Sequence, residues 1–380
     1  MQNPSLPLLG NITPKEFLTK YWQKKPLLIR NAIPNFKGLL SANELAGLSC
    51  EEDVQARIIR QTKGTWQVTE GPFDESFFST LPEKDWTLLV QSVNHHLHDA
   101  TSLLKQFNFI PHARLDDLMV SYAPDGGGVG PHFDSYDVFL LQGVGKRMWR
   151  VSEQQDLDLV ENAPLKLLKN FITEEEYLLE AGDMLYLPPQ VAHWGIAVGE
   201  CMTYSIGFRA PSAQELSIEF LSFLQEKIQP KGLYQDPDLT LQEHPADISN
   251  SMVSQVTNLL KNISWDENLV GEFLGIYLSE PKSHVVFKSP RKLSVGKFNQ
   301  LLKLQPILLA LKTQMLCFQS LCFINGERLE FPNTIFTSMQ KLADTRYLNV
   351  TQENLNADNL AVLTKLLHTY FLAGYLTFKH

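Results

Sequence analysis

The chain has 380 residues, 44% of them hydrophobic and 20% charged, with a formal net charge of −9. That balance gives a folded protein with room for more than one core, and excludes both long disorder and a surface that coats nucleic acid through bulk positive charge. Four cysteines without C-x-x-C spacing make neither a disulfide framework nor a zinc knuckle. The opening MQNPSLPLLG has no charged stretch leading into an apolar run, and the longest apolar run, Ile307 to Leu311, is far short of the ~20 residues that span a bilayer. The expectation is a cytoplasmic protein without membrane association.

Thr13 and Pro14 predict an N-cap with proline at the first helical position, and Phe17, Tyr21 and Trp22 give that helix a buried stripe. KKPLLIR then reads as a strand, and a second short helix is predicted from about Asn35 to Leu48, with Ser41 as cap and Glu44 three residues on. ARIIRQ, TWQVTEG and WTLLVQSV read as strands, and 92–108 as a helix. His95, His96 and His98 lie in that helix, where only the i, i+3 pair shares a face, so they make a poor ligand set.

From Leu115 the pattern changes to short strands separated by Gly and Pro turns, as in a β-barrel or double-sheet roll. The glycines of DGGGVG imply positive φ or close approach of another group, and no G-K-[ST] follows to make a phosphate loop. A strand over 131–142 is predicted to carry His132 and Asp134, whose side chains leave on the same face of an extended chain. His193 follows the turn and strand of GDMLYLPP. Two histidines and one carboxylate form the facial triad of non-haem Fe(II) oxygenases, which leaves positions open for a co-substrate and O2. An isolated H-x-D arises by chance and a lone histidine is more often structural; here the strand context and the distal histidine favour the metal.

On the return strand Arg147, Trp149 and Val151 share a face, with Lys146 and Arg150 outward. Arg147 is placed to hold the distal carboxylate of a dicarboxylate co-substrate, and Trp149 to pack. Thr203 and Ser205 share a face of the last barrel strand, either as contacts to the co-substrate or a water or, more commonly, as ordinary lining.

Ser212 and Glu215 then form a capping box before a helix with the stripe Leu216, Phe220, Phe223, Leu224 and Ile228. A second helix is predicted over 246–263, and GEFLGIYLS adds a third. Such apolar helices outside a closed barrel need a covering surface, either a second copy of the chain or the barrel itself. Beyond Pro281, strands (HVVFKS, LCFINGERLEF) alternate with helices (KFNQLLKLQPILLAL, ADNLAVLTKLLHTYFLAGYL), and Asn325-Gly326 marks a hairpin. Lys282, Lys288, Arg291, Lys292, Lys297 and Lys303 form an acid-free basic run, a solvated face or a partner surface.

YWQKKPLLIR, PHFD, the spacing from Asp134 to Arg147, GDMLYLPPQVAHWG and the closing GFRAP together resemble the JmjC-type ribosomal oxygenases, over essentially the whole chain. The resemblance implies an α+β protein: a JmjC double-stranded β-helix, the cupin jelly roll, over 1–211, a helical dimerisation region over 212–275 and a winged-helix-like module over 276–380. It implies a dioxygenase using Fe(II), 2-oxoglutarate and O2 on a large-subunit ribosomal protein, by similarity an arginine of protein sixteen at its β-carbon. The partner would be that ribosomal protein and a second copy of the chain, with no sequence-specific DNA. Carried over by position, His132, Asp134 and His193 match the iron ligands, Arg147 the co-substrate clamp and Ser121 a second polar contact to the same carboxylate, while Ser205 is a cofactor-binding candidate from its strand face alone. An arginine substrate would be met by acids and aromatics at the mouth, for which Asp116, Asp125, Tyr136 and Asp137 are candidates. The alternatives are a metal cupin that does not hydroxylate, needing no basic clamp, and a non-catalytic ribosome-binding adaptor.

Overall fold

The computed structural model describes residues 4–228, 231–290 and 292–378; Arg291 of the basic run lies outside them. The N-terminal elements are α1 (Pro14–Lys20), β1 (Leu27–Ile29), α2 (Ala42–Leu48), β2 (Ala56–Thr62), β3 (Thr65–Glu70), α3 (Glu75–Phe78), β4 (Trp86–Val90) and α4 (His98–Lys105). The roll follows with β5 (Leu115–Ala123), β6 (Asp137–Gln142), β7 (Lys146–Ser152), β8 (Glu175–Leu179), β9 (Met184–Leu187), β10 (Ala192–Val198) and β11 (Cys201–Phe208). Both predicted caps are present: the Thr13 hydroxyl accepts from the Glu16 amide, and Ser41 with Glu44 makes a full capping box, so that the second helix starts at Ala42 and not near Asn35 as expected. The expected 92–108 helix is interrupted, because Ser92 adopts a left-handed φ of 52° and α4 starts only at His98.

Eight strands form one antiparallel sheet in the order β1-β9-β6-β11-β5-β4-β2-β3, and three form a second, β10-β7-β8. Alternation gives the large sheet two different faces. Its outer face presents Phe139, Leu141, Tyr186, Tyr204, Ile206 and Phe208 to Phe17 of α1, Leu45 of α2 and Phe107. Phe17 and Tyr186 rings lie 4.9 Å apart, Phe107 and Phe139 5.0 Å. Each such ring removed from water contributes about 1.5–3 kcal/mol, so this layer carries much of the stability. The inner face places Val138, Leu140, Leu185 and Leu187 against Trp149, Val151 and Leu179 of the small sheet, a smaller core.

The strand predicted over 131–142 is regular only from Asp137. His132 is held instead by an isolated bridge to His193, with Pro131 lacking an amide to extend the ladder and a bend at Ser135 and Tyr136.

Beyond the roll come α5 (Ala213–Lys227), opened by the predicted Ser212 capping box, α6 (Asn250–Lys261) and α7 (Glu267–Ser279). The remaining elements are α8 (Val295–Leu304), β12 (Ile307–Leu309), β13 (Met315–Phe318), β14 (Leu321–Ile324), β15 (Glu327–Arg328), α9 (Phe336–Thr345), β16 (Tyr347–Leu348), α10 (Ala357–Leu372) and β17 (Leu376–Phe378). They enclose a second core that includes Phe298, Ile307, Leu342, Leu363 and Phe371. Two expectations fail here. HVVFKS is not a strand but a connection opened by a turn from Lys282 to Val285, and its Phe287 packs on Tyr375. The helix expected through LLKLQPILLAL stops at Leu304, because Pro306 ends it and Ile307–Leu309 pairs with β16 and β17. α7 lies close on the β13–β14 hairpin: a Cβ at Gly271 or Gly275 would overlap the Phe318 or Phe323 ring. Lys312 to Asp53 at 2.7 Å and Lys282 to Asp116 at 3.1 Å tie the C-terminal module to the roll. Among the described residues no helix is long and apolar enough to cross a membrane.

Candidate metal centre

The backbones of His132 and His193 exchange two hydrogen bonds, of 3.0 and 2.8 Å, which sets the rings side by side with centroids 4.2 Å apart. The Gln190 amide donates to the Asp134 carbonyl at 2.8 Å and fixes the third residue. One ligand atom from each of His132, Asp134 and His193 lies within 4.8 Å of the other two, and Asp134 Oδ2 is 3.6 Å from His193 Nε2.

Both rings are oriented by the backbone. Nδ1–H of His132 donates to the Gly130 carbonyl at 3.0 Å and Nδ1–H of His193 to the Val191 carbonyl at 2.9 Å, since a carbonyl only accepts. Each Nε2 is thereby left with its lone pair, the form a metal takes, and the second bond fixes the ring. Burial, then the neighbouring His132, lowers the His193 pKa to about 4 against the opposing pull of Asp134, so the imidazole is neutral near pH 7. Two imidazoles and one carboxylate suit Fe(II) and leave its other positions to small ligands.

The inner faces of the two sheets extend this site. His193 is paired with Val151 and Ala197 with Arg147, so Arg147 lies four residues along the same face. Its side chain is buried at 3% exposure, its terminal nitrogen reaches only the Cys201 thiol at 3.6 Å, and its Nε has no hydrogen-bond partner among the described residues. A buried guanidinium so poorly satisfied is costly unless an anion completes it. Ser121 and Ser205 face inward on neighbouring strands, opposite Thr203 and Met119 respectively, and both are buried. The Ser121 hydroxyl makes one long 3.5 Å bond to the Thr203 carbonyl. The Thr203 hydroxyl is taken up by Gln142 at 3.0 Å.

Trp149 does more than pack. Its ring crosses Gly195, where a Cβ would strike it, lies 5.8 Å from His193, and carries a buried Nε1–H without a partner among the described residues. The glycine loop closes this side of the site: Gly126 and Gly127 exchange hydrogen bonds with Ala197, and a Cβ at Gly128 would collide with the Gly195 carbonyl. Close approach is the reason for those glycines.

Of the four residues expected at the mouth, Asp137 is misplaced. It lies on the outer face, fully buried, accepting from Tyr186 Oη at 2.6 Å, Gln23 Nε2 at 2.9 Å and Arg114 at 3.0 Å, and so anchors the N-terminal layer. Asp125 accepts from the Gly199 amide at 2.8 Å and braces a turn. Asp116 pairs with Arg209 and Lys282. Tyr136 does stand at the mouth: burial, then Asp134 and Asp117, raises its phenol pKa. Asp117 was missed. It shares the inward face with Ser121, is buried, and accepts from the Ser92 amide and hydroxyl at 3.0 Å each; burial raises its carboxyl pKa.

Comparison with known proteins agrees with this geometry. Residues 102–216 match the JmjC domain family and 262–377 the ROXA-like winged helix. The chain is 34% identical over 327 residues to the ribosomal protein uL16 3-hydroxylase of Escherichia coli K12, covering 84% of this chain and 86% of that one. It is 39% identical over 264 residues to a probable ribosomal oxygenase of Haemophilus influenzae, covering 68% and 62%. The E. coli ribosomal oxygenase YcfD solved with cobalt and 2-oxoglutarate superposes with a TM-score of 0.85 at 30% identity, over 99% of this chain and 100% of that one. An oriented His-Asp-His triad, a roll that buries it and similarity along nearly the full length together place this chain among the JmjC-type ribosomal oxygenases, enzymes that depend on 2-oxoglutarate and a metal.

Proposed function

We propose that this chain hydroxylates the β-carbon of an arginine in ribosomal protein uL16, using Fe(II), 2-oxoglutarate and O2. The observation that carries the reading is the open triad with a buried, unsatisfied Arg147 on the same face. The E. coli relative named as a uL16 3-hydroxylase supports the substrate. Iron with 2-oxoglutarate and O2 supplies the oxidant that replaces an unactivated C–H by C–OH.

Everything else falls to the chain's own residues. His132, Asp134 and His193 would hold the metal. Arg147 completes its hydrogen bonding on the distal carboxylate of 2-oxoglutarate, with Ser121 and Ser205 lining the same face. Asp117 and the Tyr136 ring meet the substrate guanidinium, the carboxylate by charge and the ring by its face. Trp149 and the glycine loop keep water from the buried side.

The division at 211 and 275 stands as part of the proposal, with α7 bridging the helical region and the last module. α6 supports a homodimer: Met252, Val253, Leu259 and Leu260 are all exposed on one stripe, with Leu260 at 60%. A cytoplasmic location follows from a ribosomal substrate. The test is incubation of the purified protein with uL16, ferrous iron, ascorbate and 2-oxoglutarate, read by peptide mass spectrometry. One oxygen gained on a single arginine is expected. Succinate formation with uL16 unmodified and another ribosomal protein oxidised would reject the substrate; no succinate at all would reject the chemistry.

A further inference from the structure

Away from the metal centre, two thiols face each other in the C-terminal module. β13 and β14 are joined through Gln319, which takes a positive φ of 52°, and Ser320; Phe318 pairs with Leu321, Cys317 with Cys322 and Leu316 with Phe323. Hydrogen-bonded and non-hydrogen-bonded pairs alternate along an antiparallel ladder, and the pair that closes a two-residue loop is hydrogen-bonded. Cys317 and Cys322 therefore occupy the non-hydrogen-bonded position, where Cα atoms approach to about 4.5 Å and side chains leave on one face. That separation lies inside the range a disulfide spans without backbone movement. The two Sγ atoms are 2.7 Å apart, and both thiols are free.

We propose that Cys317 and Cys322 form a modification site, a thiol pair that hydrogen peroxide closes into a reversible cross-strand disulfide. The Cys317 sulfur attacks peroxide, the O–O bond breaks, and a sulfenic acid and one water result. Cys322 Sγ then attacks that sulfur; the S–S bond forms, the S–O bond breaks, and the hydroxyl leaves as a second water with the remaining thiol proton. Two electrons pass from the thiols to peroxide, and a dithiol reductant returns them.

The order follows from access: Cys317 is half-buried whereas Cys322 is fully buried, its thiol pushed up by the hydrogen bond with Cys317 and by burial. The other two cysteines are unsuited. Cys201 is fully buried beside Arg147, and the Cys50 thiol is pushed up by burial and by Glu75 and Asp74. Closure would staple the hairpin on which α7 rests, since Phe318 and Phe323 flank the pair and meet Gly271 and Gly275.

Trypsin places both cysteines in one peptide, Thr313–Arg328. The full-length protein is treated with peroxide, alkylated under denaturing conditions and digested. The expected peptide is unalkylated and lighter by two hydrogens, returns to the doubly alkylated form after dithiothreitol, and appears about tenfold faster than Cys50 is lost. In Cys322→Ser, Cys317 is expected as a sulfenic acid trapped by dimedone; in Cys317→Ser, Cys322 stays alkylatable. The wild-type peptide decides the matter even if a variant misfolds. Double alkylation persisting while methionines become sulfoxides, or oxidation of Cys50 first, would overturn the proposal.

Discussion

The outer face of the large sheet and the interior between the two sheets bury charge in opposite ways. On the outer face Asp137 is fully buried and completely satisfied, by Tyr186, Gln23 and Arg114, within a layer of packed aromatic rings. Across the sandwich, on the inner face of the small sheet, Arg147 is as deeply buried but among the described residues hydrogen-bonds only to a thiol, its guanidinium 5.8 Å from the centre of the Trp149 ring, whose indole N–H has no partner there either. A complete buried network rigidifies the fold, while an incomplete one costs stability that only a bound anion or substrate can offset. Between Asp137 and Arg147, completeness of hydrogen bonding rather than burial or charge separates the residue that holds the fold from the one placed to act.

That contrast is broken most severely at the metal. Alanine at Asp134 or His193 should reduce succinate formation by about 10³-fold or more, because the three ligands act as one unit, with an unchanged circular dichroism spectrum and loss of bound metal. Retained metal in either variant would remove that residue from the ligand set. On the other face Asp137→Ala should cost about 3 kcal/mol by stranding three donors, read as a lower midpoint in denaturant, while folded molecules still bind metal. Lost metal binding with an unchanged midpoint would reverse the assignment. Arg147→Met sharpens the comparison from the other side. Removing an unsatisfied guanidinium should leave the substrate-free protein as stable as before or more so. The half-saturating 2-oxoglutarate concentration should rise roughly 10- to 100-fold, for a charge-assisted bond of about 1.5–3 kcal/mol.

Short-range signals were legible in the sequence. Thr13, Ser41 and Ser212 cap the helices they were expected to cap, and Arg147, Trp149 and Val151 do share a face. Asp137 was misread although alternation within β6 contained the answer: it is in step with Phe139 and Leu141, which face the outer core. Asp117 is in sequence step with Ser121, but the register of β5 against β11 shifts beside it, so alternation alone was a weak guide there. The segment at His132 could not be read locally, since its backbone partner is His193, far along the chain. HVVFKS has strand composition but pairs with no strand among the described residues, and β propensity without a partner surface decides little. α9 escaped notice because no side chain caps its start and Arg346, not glycine, takes the left-handed position at its end.

The smallest expected effect lies where the roll meets the C-terminal module, a region neither as complete as the outer face nor as open as the inner one. His95, His96 and His284 gather there around Lys312 and Asp53. Burial, then His96, Lys282, Lys312 and His284, lowers the His95 pKa to about 3; burial also lowers His96 and His284, with Asp53 pulling His96 the other way. An unfolded histidine titrates near 6.5, so as pH falls from about 6.5 toward 3 the unfolded chain binds the proton that folded His95 refuses, and stability drops. Asp53, whose carboxyl is held low by its hydrogen bond to Lys312, adds its own loss at more acid pH. His95→Gln should therefore weaken the acid sensitivity by on the order of 1 kcal/mol at pH 5, seen as a smaller gap between urea midpoints at pH 7.5 and pH 5. An unchanged gap would mean that His95 takes up its proton as readily in the folded chain as in the unfolded one, and that burial at this junction does not oppose its charge.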